Sequence, residues 1–350
     1  MTINKKRFFL PIFIFLVVVF VYPSSKVIAL TITPVRLEIS GDPGEVLNQE
    51  MTLFNERETT ETYFVSYSNF EAQGETGDPA FVDARDDLGT WMQAPYSVSV
   101  APKEFKTVPI NITIPKNAEP GGHFAAIFWG TIPPNTNANA VTIGAKTGLL
   151  ILLRVNGDVN ENGGLIEFST KNKQKFYTAL PVSFSYRFQN TGGDRIKPKG
   201  EIKMKDIFGI TEKKISGNPV DGNILPNSVR KFETVWEGKD GPIPLGKNEQ
   251  GNFFNKVRYE WRNFALGYYN AKASLSYGTK GEIALGSFSF WVFPWHLIIV
   301  LLVLLSLIYF IVKKLLKNYH NWVIQKAKEM LKLEREKETN EHNTNFAERI

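Results

Sequence analysis

Few residues in this chain of 350 can do chemistry. There is no cysteine, which removes a thiol nucleophile and a cysteine zinc cage, and there are only four histidines. His296 lies in a long apolar stretch and His320 and His342 in the C-terminal tail, leaving His123 alone in the central region. No serine occupies a G-x-S-x-G elbow, and no P-loop or dinucleotide glycine pattern follows a strand. Carboxylates remain. Asp78, Asp83, Asp86 and Asp87 cluster between Phe70 and Val98, but a general acid and base need two carboxylates on a rigid frame facing a cleft. Asp83-Ala-Arg-Asp-Asp87 reads as an exposed turn without the D-x-D-x-D-G spacing of a calcium loop. We therefore expect no catalytic set, no cofactor and no metal, with carboxylate chemistry and a calcium turn as the alternatives.

Binding is the other possibility. A connection longer than about 12 to 15 residues is usually functional or disordered, and the one from Phe70 to Val98 carries Trp91, Met92, Pro95 and Tyr96 beside its acids. Such rings stack on sugars or anchor a protein partner; they serve equally well to plug one end of a sandwich. Trp236 and Trp261 invite the same two readings, Trp236 as core at the end of a strand. With His123 and Phe124, which follow a Gly-Gly pair, the candidate partner contacts are Trp91, Met92, Tyr96, His123, Phe124 and Trp261.

The elements that must position them are strands. Thr31 to Ile39, Val46 to Phe54, Thr62 to Phe70, Phe105 to Ile114, Gly122 to Trp129 and Leu149 to Val155 are short apolar or alternating runs between Gly, Pro, Asn and Asp. After Asn160-Glu-Asn-Gly-Gly164 the pattern restarts near Leu165 to Ser169, Val182 to Gln189, Glu201 to Lys205, Val229 to Trp236, Tyr268 to Tyr277 and Ile283 to Phe290. Three features recur in order: a strand ending in Asn55 or Asn190, a proline before a strand at Pro102 or Pro226, and a glycine opening an aromatic strand at Gly122 or Gly267. This predicts an all-β ectodomain of two tandem immunoglobulin-like β-sandwiches, residues 30–160 and 161–290. The first has 8 basic and 16 acidic residues and the second 20 and 13, so an acidic domain precedes a basic one. The basic one suits an anionic wall polymer or an acidic protein, and the opposed signs suit contact between the two; ordinary solvated surface gives the same count.

The rest of the chain speaks of a membrane. Trp291 to Val312 carries no Asp, Glu, Lys or Arg, and about 22 residues at ~1.5 Å each cross a hydrocarbon core of ~30 Å. Trp291 and Trp295 flank one side and Lys313, Lys314 and Lys317 the other, which predicts a cytoplasmic tail, 313–350. Leu316, Tyr319, Trp322 or Val323, Ala327, Met330 and Leu331 recur at helical spacing there, for the inner leaflet, a second copy or a cytoplasmic partner, a plain juxtamembrane helix being the alternative. Residues 1–29, with Lys5, Lys6 and Arg7 before an apolar run and Val27-Ile-Ala29 before a cut, read as a signal peptide, an uncleaved anchor being the alternative. Once these flanks are set apart, the net charge of +6 falls on the membrane ends and the centre is near neutral, so nucleic acid is not an expected partner. The expected location is the cell membrane: single-pass, with the N-terminal part outside.

This layout, with the run Ile114-Pro-Lys-Asn-Ala-Glu-Pro-Gly-Gly-His-Phe-Ala-Ala-Ile-Phe128 and, more weakly, Thr31-Ile-Thr-Pro-Val-Arg-Leu37, resembles the bacterial WxL-interacting proteins. The resemblance implies peptidoglycan binding by the first domain and docking of a surface protein by the second, although no motif in the second can be matched residue by residue. The first strands are also similar to pilus-chaperone sandwiches, which lack a C-terminal anchor. The expected function is a membrane-anchored adaptor for cell-wall polymer or a surface protein; a structural spacer, and a sensor relaying through the tail helix, are the rivals.

Overall fold

A computed structural model describes residues 30–134, 145–207, 209, 212–238 and 252–347. The expected signal peptide, 1–29, lies outside the described residues. The chain is mostly β-sheet, with one long helix at its C-terminal end. Its described residues divide into two compact units, one falling within 1–164, 189–197 and 223–230, the other within 165–188, 198–222 and 231–350.

The first unit contains β1 (Leu30–Thr33), β2 (Arg36–Gly41), β3 (Val46–Asn55), β4 (Glu61–Gln73), β5 (Asp78–Asp83), the helical turn α1 (Leu88–Trp91), β6 (Met92–Gln93), β7 (Ser97–Val100), β8 (Phe105–Thr113), β9 (Gly121–Gly130) and β10 (Lys146–Val155). One sheet runs β1-β3-β8-β6; the other runs β2-β10-β9-β4-β5, with β7 also on β4. The single strand expected over Thr31 to Ile39 is thus two. A cis Thr33-Pro34 bond lies between them, and β1 pairs antiparallel with β3 in one sheet while β2 pairs parallel with β10 in the other.

Alternation sets the core. In β8 every second residue from Val108 is buried, as expected where one face of a sheet meets another. Met51, Leu53, Ile110 and Ile112 from one sheet share a buried cluster with Ile127, Trp129, Leu149, Ile151 and Leu153 from the other. The Trp129 indole, which needs a partner when buried, donates across the layers to Met51 Sδ at 3.3 Å. The supposed long loop from Phe70 to Val98 is structured: β4 continues to Gln73, and β5, α1, β6 and β7 follow.

The second run of elements is β11 (Gly163–Thr170), β12 (Phe176–Tyr177), β13 (Val182–Asn190), β14 (Lys199–Asp206), β15 (Glu212–Ser216), β16 (Ser228–Trp236), α2 (Phe253–Arg262), β17 (Gly267–Tyr277), β18 (Glu282–Val292) and α3 (Trp295–Ala347). Its sheets are β11-β13-β16 and β12-β18-β17-β14-β15. Aromatic pairs close the gap between them: Phe184 with Phe290 at 5.5 Å, Phe188 with Tyr277 at 5.3 Å and Trp236 with Tyr269 at 5.0 Å. Trp236 is core, as its place at a strand end implied.

Two expectations are corrected here. The region is not wholly β, because α2 interrupts it. The apolar stretch also begins later as a helix: Trp291 and Val292 finish β18, and α3 opens after Pro294, whose carbonyl accepts from Ile298 N at 3.0 Å. From Trp295 this helix is long and apolar enough to cross a membrane, the one such helix among the described residues.

Candidate functional site

The acidic segment before α1 is an ordered turn built on one asparagine. Asn69, buried in β4, donates through Nδ2 to Asp86 O at 2.8 Å and accepts from Gly89 N at 2.8 Å. Leu88 between them is fully buried. Asp87 combines φ 59° with ψ −161°, a backbone region that is strained for any residue but glycine, and its carboxylate meets Nδ1 of His123. Nε2 of the same ring meets Glu119 O at 2.8 Å. Both partners are acceptors, so both ring nitrogens must carry protons for both contacts to be hydrogen bonds. Burial works to lower the pKa of His123, but the bonds and charges of Asp87 and Glu119 outweigh it and raise the value above the ordinary 6.5. The ring is a strut whose protonated form the site favours. With neither nitrogen facing a free space, it is poorly placed to shuttle a substrate proton.

Trp91 packs over this ring at 4.7 Å between centroids, and it is half-buried against the core. Ala94 N donates to Tyr67 Oη at 2.9 Å, which fixes the chain after β6. Trp91 and His123 are therefore brought together, while the other candidates are dispersed. Met92 is 3% exposed inside the core and offers a partner nothing. Phe124 is also buried, on the other face of the sheet, among Phe70, Ala126 and Leu152. Tyr96 is 59% exposed, its ring edge-on to Phe64 at 5.8 Å. Trp261 belongs to the second unit, on α2, and is 72% exposed.

A cleft missing from the sequence reading lies above Phe124. Phe70, 5.9 Å from the Phe124 ring, forms its floor with Leu150, Leu152 and Leu225, and Arg36, Asp78, Asn223 and Arg230 stand around it. Glu38 organises one side, accepting from Lys197 Nζ and Asn223 Nδ2 at 2.9 Å each and pairing with Arg36 at 3.1 Å. Burial pushes the Glu38 carboxyl up, but these bonds, chiefly from Lys197, hold it below the usual carboxylate range. On the other side Arg230 donates to Asn223 O at 2.7 Å and lies over Gly77, where a Cβ would fall 2.1 Å from its Cζ. The cavity holds about 90 Å³, below the several hundred cubic ångströms usual for a small-molecule or cofactor site. It has room for one aliphatic side chain, with arginine forks beside it to meet a carboxylate or carbonyls. No spacing pattern could have shown it, because its residues come from β2, β4, β5, β10 and the segment 223–230. No group of three His, Asp or Glu side chains suited to a metal occurs among the described residues.

No family model matches the chain, and no curated protein matches it. Among solved structures, the class 5 fimbriae chaperone CfaA overlaps 76% of this chain and 100% of its own, at 12% identity and a TM-score of 0.36. The E. coli chaperone DraB overlaps 76% and 98%, at 12% identity and 0.32. A CsuC-CsuE chaperone-tip adhesion subunit complex from Acinetobacter baumannii overlaps 74% and 97%, at 10% identity and 0.33. Superpositions this loose carry neither fold nor function; the sheets above are established by the pairing of the chain's own strands.

Proposed function

We propose that this chain is a non-catalytic, membrane-anchored adaptor of the bacterial cell surface, of the WxL-interacting kind, whose first unit grips a segment of a protein partner. The observation that carries the reading is the cleft: an apolar floor of Phe70, Leu150, Leu152 and Leu225, too small for a metabolite, beside Arg36, Asp78 and Arg230. A side chain with flanking backbone carbonyls or a carboxylate fits this chemistry better than a polymer of sugar rings does, so a surface protein is preferred to peptidoglycan as its occupant. α3 supplies the anchor, with the N-terminal part outside the cell and the lysines after Val312 inside.

The full-length chain in nanodiscs, passed over isolated cell wall and separately over surface-protein extract at ~0.05 and ~0.5 M salt, separates docking from screened attraction. Salt-resistant retention of one surface protein, abolished by filling the cleft with Ala72→Trp, is the expected result. Retention that Ala72→Trp leaves unchanged, or none from either source, overturns the assignment.

A sensor is the second reading, favoured by the unbroken run of α3 from the span into the tail. It requires the tail stripe, so polar substitutions at Leu316, Val323 and Met330 that leave every in vivo role intact would remove it.

A further inference from the structure

The helix α2 is amphipathic the wrong way round for a core element. Its one fully buried side chain is Glu260, while Phe254, Lys256, Arg258, Trp261 and Arg262 are exposed, Phe254 to 79%. Water does not favour such an arrangement unless something covers the rings. What covers them is indicated by what Glu260 holds. Its carboxylate takes His296 Nδ1 at 2.5 Å and Leu297 N at 2.8 Å, so it ties α2 to the first turn of the helix that can cross a membrane. Phe253 adds a ring contact to His296 at 5.6 Å. Just before the first turn of α3, β12 and β18 end side by side. There Phe176, exposed to 74%, and Trp291 line a shallow groove with Lys175.

From this we infer that α2, with the Phe176–Trp291 edge, is a lipid-binding surface that lies in the headgroup region of the bilayer that α3 crosses and selects anionic lipid. The inference rests on the reading of α3 as a span. Aromatic rings with a polar or amphipathic edge settle at the headgroup level, and an interfacial helix seats its apolar side chains about 5–10 Å into the headgroup–acyl boundary while its cations meet lipid phosphates. Lys256, Arg258 and Arg262 share the helix with Phe254 and Trp261, and Lys175 stands in the groove. Phosphates need the cations.

The chain has no cysteine, so single spin labels can be placed in the full-length protein without background. Phe254→Cys, Trp261→Cys, Leu304→Cys and Phe105→Cys are labelled separately and reconstituted in nanodiscs of phosphatidylcholine with and without phosphatidylglycerol. Accessibility to oxygen and to a water-soluble nickel chelate is then read at each site. At 254 and 261 the nickel accessibility should be several-fold lower than at 105, with oxygen accessibility between those of 105 and 304. Lys256→Glu with Arg258→Glu should reverse this only where phosphatidylglycerol is present. Labels at 254 and 261 as open to nickel as that at 105, while 304 reads the bilayer interior, overturn the lipid surface and leave the span standing. If 304 is itself aqueous, both fail. Sites shielded from both reagents point to a covering protein and also overturn the proposal.

Discussion

Asn55 and Asn190, each the last residue of a strand and each fully buried, make the same three hydrogen bonds. Each accepts from the backbone N–H two residues on, Arg57 or Gly192, and donates to the carbonyl four residues on, Thr59 or Asp194. Each also donates to the carbonyl two residues before a proline, Val100 before Pro102 or Ile224 before Pro226. The residue after each proline, Lys103 or Asn227, turns to positive φ. The repeat read from the sequence is therefore physical at two of its three points. At the third it shifts by one, since the glycine matching Gly267, φ 137°, is Gly121, φ 133°, rather than Gly122.

Removing either asparagine strands buried carbonyls and an amide at once. Asn55→Ala and Asn190→Ala should each cost about 2–4 kcal/mol, read as a fall of several degrees in the thermal unfolding of the full chain. A change within error at either position would mean that water replaces the clamp.

Because Asp87 and Glu119 outweigh burial and raise the His123 pKa, the first unit should lose stability as pH rises. A folded pKa above the ordinary value contributes stability that is complete below about pH 6.5 and is lost as pH rises through the folded value. The melting temperature should decline over that rise, and Asp87→Asn or His123→Phe should flatten the decline. An equal slope in all three proteins would show that the ring is neutral.

Gly77 is the position at which the cleft can be altered without touching its floor. Its φ of 88° and the Arg230 guanidinium lying on it leave no space for a methyl group. Gly77→Ala should displace Arg230 and reduce partner retention as far as Arg230→Ala does, with a stability loss of only about 1–2 kcal/mol. Full retention in Gly77→Ala would exclude Arg230 from the contact.

Glu260→Ala should free the first turn of α3, because a buried carboxylate that holds a backbone N–H and an imidazole cannot be lost without leaving both exposed. A cost of about 2 kcal/mol corresponds to roughly thirty-fold faster amide exchange at Leu297. Unchanged exchange there would show that α2 and α3 are held by other contacts.

Strands with one buried face were readable because alternation reports burial directly, as in β3, β8 and β17. β5 was not, since Asp78-Pro-Ala-Phe-Val-Asp83 has the composition of a turn and earns its place only by pairing with β4. α2 was missed for the opposite reason: periodicity finds helices whose apolar face is buried, and here the buried residue is an acid. Hydropathy starts the apolar helix four residues early because Trp291-Val-Phe-Pro294 is as apolar at a strand end as at a helix start. Among the candidate contacts, Trp91 and His123 do meet, but aromatic type alone could not separate exposed Tyr96 from buried Met92 and Phe124. The cleft depends on long-range register, which residue type does not encode.

The helix that begins at Trp295 runs without a break for 53 residues, about 80 Å at 1.5 Å per residue. On the proposed reading of α3 as a span, a hydrocarbon core takes up only about 30 Å of that, so roughly 50 Å would continue past it as one rod. Such a rod would be a lever with its fulcrum in the bilayer. A tilt of about 10° where Glu260 grips its first turn would sweep the far end through about 9 Å, so that a small movement on one side of the membrane becomes a displacement of side-chain size on the other.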